Sequence, residues 1–294
     1  MSRGARPGEK VQGPSGRAVR ANPPTEPQAS AAALPSRYLL DNATPEAPLR
    51  FAALSALFDP GTIRHLEERG VGCGWLCLEV GAGGGSIASW LADRVGPTGH
   101  VLATDIDTRC LQSLTLPNLE VRRHNIATDP LPEAVFDLVH ARLVLMHLPE
   151  REQALARMIS ALKPGGWLID EEYDNCSLLP NPAINPGEVL LPTQVAVNRL
   201  LDDGGVDRLF GRRLIGRLRA HGLIGVAAEA HAFMCQCASP GANLVRATYE
   251  LLQRDLIDGN YLTAQQFRQD LATLEDPDFL TPSAILWSAW GRRA

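Results

Sequence analysis

The chain has 294 residues, 45% of them hydrophobic, and a formal net charge of −5, enough apolar material to bury one full core. The charge is unevenly spread: through Arg37 there are six basic and two acidic residues, and the other 22 basic and 31 acidic residues leave a body of net charge −9. An acidic body argues against nucleic acid as a partner, and no run reaches the roughly 18 apolar residues of a membrane span.

Residues 1–36 hold six prolines, four glycines and almost no large apolar side chains, so burial cannot offset the entropy of ordering and a disordered tail is expected. The body is read as one domain over 37–294, divided into a lid (37–70), a core (71–175) and a cap with closing strands (176–294). In the lid, Thr44-Pro45 predicts a helix running to about Phe58, and Asp59-Pro60 or Thr62 a second one ending at Gly70.

The core opens with Leu76-Cys77-Leu78-Glu79-Val80, an apolar strand that runs into Gly81-Ala82-Gly83-Gly84-Gly85-Ser86 and then a helix over 87–95. Glycines there let the backbone turn sharply and bring a ligand close to a helix N-terminus. The spacing E-x-G-x-G-x-G differs from a dinucleotide fingerprint in having Ser86 at the last small position and a carboxylate, Glu79, just before the first glycine. A negative strand end suits a ligand with a cationic centre and an amine, which describes S-adenosylmethionine. A second strand, 100–105, ends in Asp105, 20 residues after Gly85. A βαβ unit puts that carboxylate beside the ribose of a nucleotide held by the first loop; Asp107 is read as the cap of a short helix near 108–114.

Further strands are expected near 119–123, 136–140 and 166–171, with a helix over 150–162 between the last two. A helix over 212–221, a strand near 225–234 and a final strand over 284–290 follow, and the insertion 238–282 carries helical patterns at 243–256 and 263–274. The alternation makes the fold α/β, a doubly wound, mostly parallel sheet.

With these segments the chain resembles the class I S-adenosylmethionine-dependent methyltransferases, in particular the small-molecule branch of ubiquinone and menaquinone biosynthesis. The resemblance spans roughly residues 38–175 and includes Phe136-Asp137-Leu138-Val139-His140 and Leu162-Lys163-Pro164-Gly165-Gly166. It implies seven strands with an antiparallel last one, and S-adenosyl-L-methionine held by Glu79, Gly81, Ala82, Gly83, Gly85, Asp105, Ile106, Asn125, Ile126, Ala141 and Arg142. Asn125 stands where the family usually has an Asp for the adenine amine, and its amide oxygen can still accept. Arg142 would hold the methionine carboxylate or pair with Glu79 or Glu172.

On the acceptor side, His147 is a candidate general base or a helix-start residue, and Tyr173 a candidate pocket and catalytic residue. Tyr38, Phe51 and His140 are read as substrate-binding, with Phe267 a further apolar face, so that 38–70 and 238–282 would form the acceptor pocket. The run Asp170-Glu171-Glu172-Tyr173-Asp174-Asn175 reads as a solvated rim or a grip for a cationic or hydroxylated acceptor. No metal is expected, because no Asp or Glu occupies 140–148. Six cysteines without a C-x-x-C pair read as reduced thiols in a cytoplasmic protein. The expected activity is methyl transfer to a small organic acceptor; a fold that binds the cofactor structurally, as a cyclase or non-catalytic module, and a protein or RNA methyltransferase are the alternatives.

Overall fold

Apolar residues closed off by a glycine turn bury β1 (Leu76–Val80) at the centre of the molecule, where it pairs in parallel with β2 (His100–Asp105) and β4 (Phe136–Arg142). The computed structural model describes residues 39, 40, 44, 47–175 and 191–294; Tyr38, Cys176 and the expected tail lie outside them. With β3 (Leu119–Arg123), β5 (Leu162–Asp174), β6 (Ile224–His231) and β9 (Ile285–Arg292) the strands form one seven-stranded sheet. Its order is β3-β2-β1-β4-β5-β9-β6, and β9 runs antiparallel to both neighbours, as the sequence led one to expect. The order reverses between β1 and β4, so the carboxyl ends of these two strands open on the crevice where such sheets take ligands.

The helices are α1 (Ala47–Glu68), α2 (Ser86–Val95), α3 (Arg151–Ala161), α4 (Pro192–Asp203), α5 (Phe210–Ala220), α6 (Pro240–Asp258) and α7 (Ala264–Leu274). Of these, α4 was not anticipated. The insertion holds α6 and α7, the latter opened by a capping box between Thr263 and Gln266. It also holds β8 (Leu280–Pro282), which pairs with β7 (Met234–Gln236).

The two expected lid helices are one. Pro60 removes the donor for the Ala56 carbonyl, a loss of about 3 kcal/mol in a free helix, yet α1 runs straight through it. Packing outweighs the loss, because Phe58, Thr62, His65 and Leu66 are all buried on either side of the proline.

The acidic run on β5 is also not a solvated rim. Asp170, Glu171 and Glu172 have no exposed surface and Asp174 almost none. Glu171 is the hub of a buried network. It accepts hydrogen bonds from Thr62 and from Ser288 (2.6 Å), and His65 Nδ1 stands 3.4 Å from it. His140, also fully enclosed, gives Nδ1 to Glu79 at 2.6 Å and places Nε2 3.6 Å from Glu171. Burial alone would lower the imidazole pKa, but the two carboxylates outweigh it and raise it to about 10, while histidine donors and charge hold Glu171 well below the usual carboxylate range. His140 is therefore an imidazolium and Glu171 a carboxylate at neutral pH. Asp170, by contrast, has no hydrogen-bond partner for either oxygen among the described residues, and burial pushes its pKa up to about 8.

Two stability predictions follow from these charges. His140→Gln leaves two buried carboxylates without their cation and should lose about 3–5 kcal/mol at pH 7 in urea unfolding. Because the folded pKa is raised, the stabilisation by His140 is complete below about 6.5 and is lost as pH rises through about 10; the variant should lack that alkaline decline, and a parallel decline in both proteins would refute the assignment. Asp170 has the opposite effect on stability at neutral pH. Its unfolded carboxyl ionises near 3.9 and its folded one near 8, so it costs stability progressively between those values. Asp170→Asn should be more stable by on the order of 1–3 kcal/mol at pH 8 and indistinguishable at pH 4.

Candidate active site

Between β1 and α2 the chain passes through Gly81–Gly85 in a conformation that side chains resist. Gly83 has φ +54°, and a Cβ there would stand 2.7 Å from Phe51 Cε1; Gly85 has φ +80°, with a Cβ 2.4 Å from Leu114. Phe51 of α1 thus lies directly over the loop. The loop amides are largely spoken for: Ala82 donates to the Thr104 carbonyl (2.9 Å), Gly83 to Asp105 Oδ2 (2.9 Å) and Gly85 to the Ala82 carbonyl (2.8 Å). A pyrophosphate would need such amides free.

Asp105, at the end of β2, also accepts from the Asp107 amide at 3.0 Å. Burial raises its pKa and these donors pull part of the way back. Each oxygen keeps a lone pair for a further donor. Asp107 accepts from the amide (3.1 Å) and guanidinium of Arg109; the helix expected over 108–114 is only a short 3-10 turn, Arg109–Leu111, whose N-cap is Thr108 and not Asp107. Asn125 Oδ1 takes the Ala127 amide at 3.0 Å, and Ile106, 48% exposed, offers an apolar surface beside Asp105.

These residues enclose a first cavity of about 270 Å³, lined by Glu79, Gly81, Ala82, Gly83, Phe51, Asp105, Ile106, Asn125, Ile126 and Arg142, among others. A carboxylate at one wall, an acid with spare acceptors for paired hydroxyls, isoleucines for a flat base and engaged loop amides suit a cationic nucleoside such as S-adenosylmethionine. Three expected contacts fall elsewhere. Gly85 packs on Leu111 and Leu114, and Ala141 and His140 are sealed within β4, off the lining of the cavities. His140 therefore grips Glu79 rather than a substrate. Arg142 pairs with neither Glu79 nor Glu172: it donates to Asp59 (2.8 Å) and Thr62 (3.0 Å), because the unbroken α1 carries both over the strand end. Glu172 accepts instead from the Val144 and Leu145 amides (3.0 and 2.5 Å), fixing the loop after β4. In that loop Leu143 takes φ +58°, a conformation costly for a branched side chain.

A second cavity of about 460 Å³, within the usual range of small-ligand sites of about 300–1,000 Å³, opens between α1, α4, α6 and the β7–β8 hairpin. Its walls include Leu54, Tyr173, Gln194, Phe233, Leu244, Tyr249 and Leu252, with Tyr249 donating to Gln194 at 3.1 Å. Arg50, Leu54, Leu143 and His147 border both cavities and form the neck between them. His147 is held neutral: burial, then the charges of Arg50 and Arg151, lower its pKa to about 3, and burial raises the Tyr173 phenol above its usual range. Phe267, expected to face an acceptor, is instead sealed in the core. Sequence reasoning missed Arg50, Leu143, Gln194 and Tyr249. Only Arg50 left a signal, a cation in register with Ala47 and Leu54 on the buried face of a helix.

Among the described residues no three His, Cys, Asp or Glu side chains come together to hold a metal ion, and no helix is long and apolar enough to cross a membrane. Residues 78–170 match the family described as a methyltransferase domain. Methyltransferase str2 of Strobilurus tenacellus is 39% identical over 98 residues, 33% of this chain and 35% of that protein. The ubiquinone/menaquinone biosynthesis C-methyltransferase UbiE of Laribacter hongkongensis is 32% identical over 117 residues, 37% of this chain and 47% of its own length. The chain thus spans about a third to a half of the curated relatives it matches. Among solved structures, Haemonchus contortus phosphoethanolamine N-methyltransferase 2 aligns with a TM-score of 0.56 at 14% identity, over 89% of this chain and 61% of that one. The YcgJ protein of Bacillus subtilis aligns at 0.53 and 15% identity, over 80% and 98%. Residues 78–170 thus match a methyltransferase domain, and the fold built around them is shared with these solved structures.

Proposed function

We propose that the chain transfers a methyl group from S-adenosylmethionine to a small organic acceptor, with the donor in the first cavity and the acceptor in the second. The observation that carries this reading is the shared neck: two cavities meet at Arg50, Leu54, Leu143 and His147, as a direct in-line transfer between two ligands requires. When bound, the donor supplies an electrophilic methyl on a sulfonium. The chain's own residues do the rest. Asp105 accepts the ribose hydroxyls, Glu79 presents its carboxylate to the cationic end, Ile106 and Ile126 flank the base, and Phe51 closes the glycine loop from above.

Neither neck-side candidate acts as a proton acceptor near neutral pH in this reading. His147, with its pKa lowered to about 3, is too weak a base, and Tyr173 keeps its proton. Both shape the pocket, and the rate comes from holding acceptor and donor in line, a contribution that reaches several kcal/mol when the approach is well oriented. The acceptor then brings a lone pair that needs no deprotonation by the protein. Cys73, Cys77, Cys235 and Cys237 are free thiols, which suits a cytoplasmic setting.

Calorimetry with S-adenosylhomocysteine tests the donor half. Micromolar binding, about −8 kcal/mol, is expected of the wild type. Asp105→Ala should weaken it by about 1–3 kcal/mol and Asp107→Ala by far less, since Asp107 serves Arg109 on the surface. Equal losses at both positions in folded variants, or binding of a nicotinamide dinucleotide in place of the thioether, would overturn the assignment. Incubation with methyl-labelled donor and a panel of phenols, amines and quinone precursors tests the transfer itself. A protein that binds the donor yet labels nothing across the panel would favour the structural, cyclase-like use of the cofactor.

A further inference from the structure

The neck holds one arginine, Arg50. The residue is 8% exposed, and its Nε has no hydrogen-bond partner. No Asp or Glu among the described residues forms an ion pair with it, whereas the neighbouring Arg142 is tied to Asp59 and Thr62. A guanidinium taken out of water without a counter-charge is costly, and proteins keep such groups where a ligand completes them. Its planar fork of donors matches a carboxylate in two-point fashion.

We propose that Arg50 is the receptor for a carboxylate carried by the acceptor, so that the substrates of this protein are apolar organic acids. The inference rests on the two-cavity reading above and names the acceptor class within it. Arg50 borders both cavities, but its charge is felt by His147 and Tyr173, and Tyr173 lines the second one alone. Phe233, Leu244, Val245 and Leu252 give that cavity its apolar walls; its polar lining includes Gln194, Thr248, Tyr249 and Ser283 as well as Asp276 and Asp278, and Arg50 is the one arginine or lysine among its described lining residues. An acceptor seated there with its carboxylate on Arg50 is anchored at the neck. Its orientation is then fixed by one strong polar contact, and the apolar walls set its size.

The test uses the full chain saturated with S-adenosylhomocysteine and titrated with matched pairs: 4-phenylbutyrate against 4-phenylbutyramide, and octanoate against octanamide. In the wild type at least one acid should bind about tenfold or more tighter than its amide. In Arg50→Gln that preference should fall below about threefold, Arg50→Lys should restore part of it, and affinity for S-adenosylhomocysteine should stay within about threefold throughout. Acids and amides that bind alike in the wild type, or a preference that survives Arg50→Gln, would overturn the proposal. So would a tenfold loss of S-adenosylhomocysteine affinity in Arg50→Gln with the acid preference intact, which would assign the guanidinium to the cofactor's own carboxylate. Failure of the wild type to bind S-adenosylhomocysteine at all would instead defeat the underlying reading. A separate measurement needs no ligand: Arg50→Met, which replaces an uncompensated buried cation by an apolar chain of similar length, should melt at the same temperature as the wild type or higher. A marked drop would mean that the cation is already paired within the fold.

Discussion

A single imidazolium, His140, sits where three adjacent strands each contribute one charged group, and much of the molecule is arranged around it. Glu79 comes from β1, His140 from β4 and Glu171 from β5, strands that lie side by side in the sheet. In a low-dielectric interior a lone charge among these would be prohibitive; together they are tolerable because Glu171 has further donors in Thr62, His65 and Ser288. Thr62 and His65 belong to α1 and Ser288 to β9, so one buried cluster ties the lid helix and the closing strand to the wall of the first cavity. The C-terminal half of α1 is anchored by this cluster. Its N-terminal half, with Arg50, Phe51 and Leu54, lines the cavities.

The other carboxylates of β5 have different jobs, which explains how so many acids can share one buried strand. Glu172 spends one oxygen on the Val144 and Leu145 amides, and Asp174 takes the Arg212 guanidinium at 2.6 Å. The first of these contacts holds the turn in which Leu143 adopts its left-handed conformation and reaches the neck. Strain at that residue is thus maintained by polar contacts on the strand behind it, and the geometry of the neck is set from the sheet outward.

The placement of the first cavity's lining was legible because its constraints are local. The glycine loop, Glu79 before it and Asp105 a fixed distance after it are dictated by the geometry of one βαβ unit, and all three stand where the spacing put them. The doubly wound, mostly parallel sheet followed from the same alternation. What resisted reading depended on partners distant in sequence. Asp170-Glu171-Glu172 looks like surface in one dimension, and only the arrival of His65, His140 and Ser288 from elsewhere makes burial affordable. Pro60 looks like a break, and only the packing of Phe58 and Leu66 on both sides of it keeps α1 whole. Helix α4 escaped notice, and with it Gln194 and a wall of the second cavity.

Arg50 combines both cases, and its contrast with His140 separates structure from ligand binding in this fold. Both are cationic groups in nearly solvent-free positions. His140 is flanked by two carboxylates supplied by the chain, so its charge is a finished part of the fold. Arg50 lies on the cavity face of the same lid that supplies Thr62 and His65 to the cluster, within a protein whose body carries nine more acidic than basic residues. Acids are plentiful in this sequence, and the chain buries four of them in β5, Asp170 with no hydrogen-bond partner among the described residues, rather than beside Arg50. A counter-charge for the neck is therefore not something the fold lacks the material to provide. Under the proposal of an acidic acceptor it is left to the guest of the second cavity, and the cost of the incomplete pair becomes binding energy available to that anion at the neck.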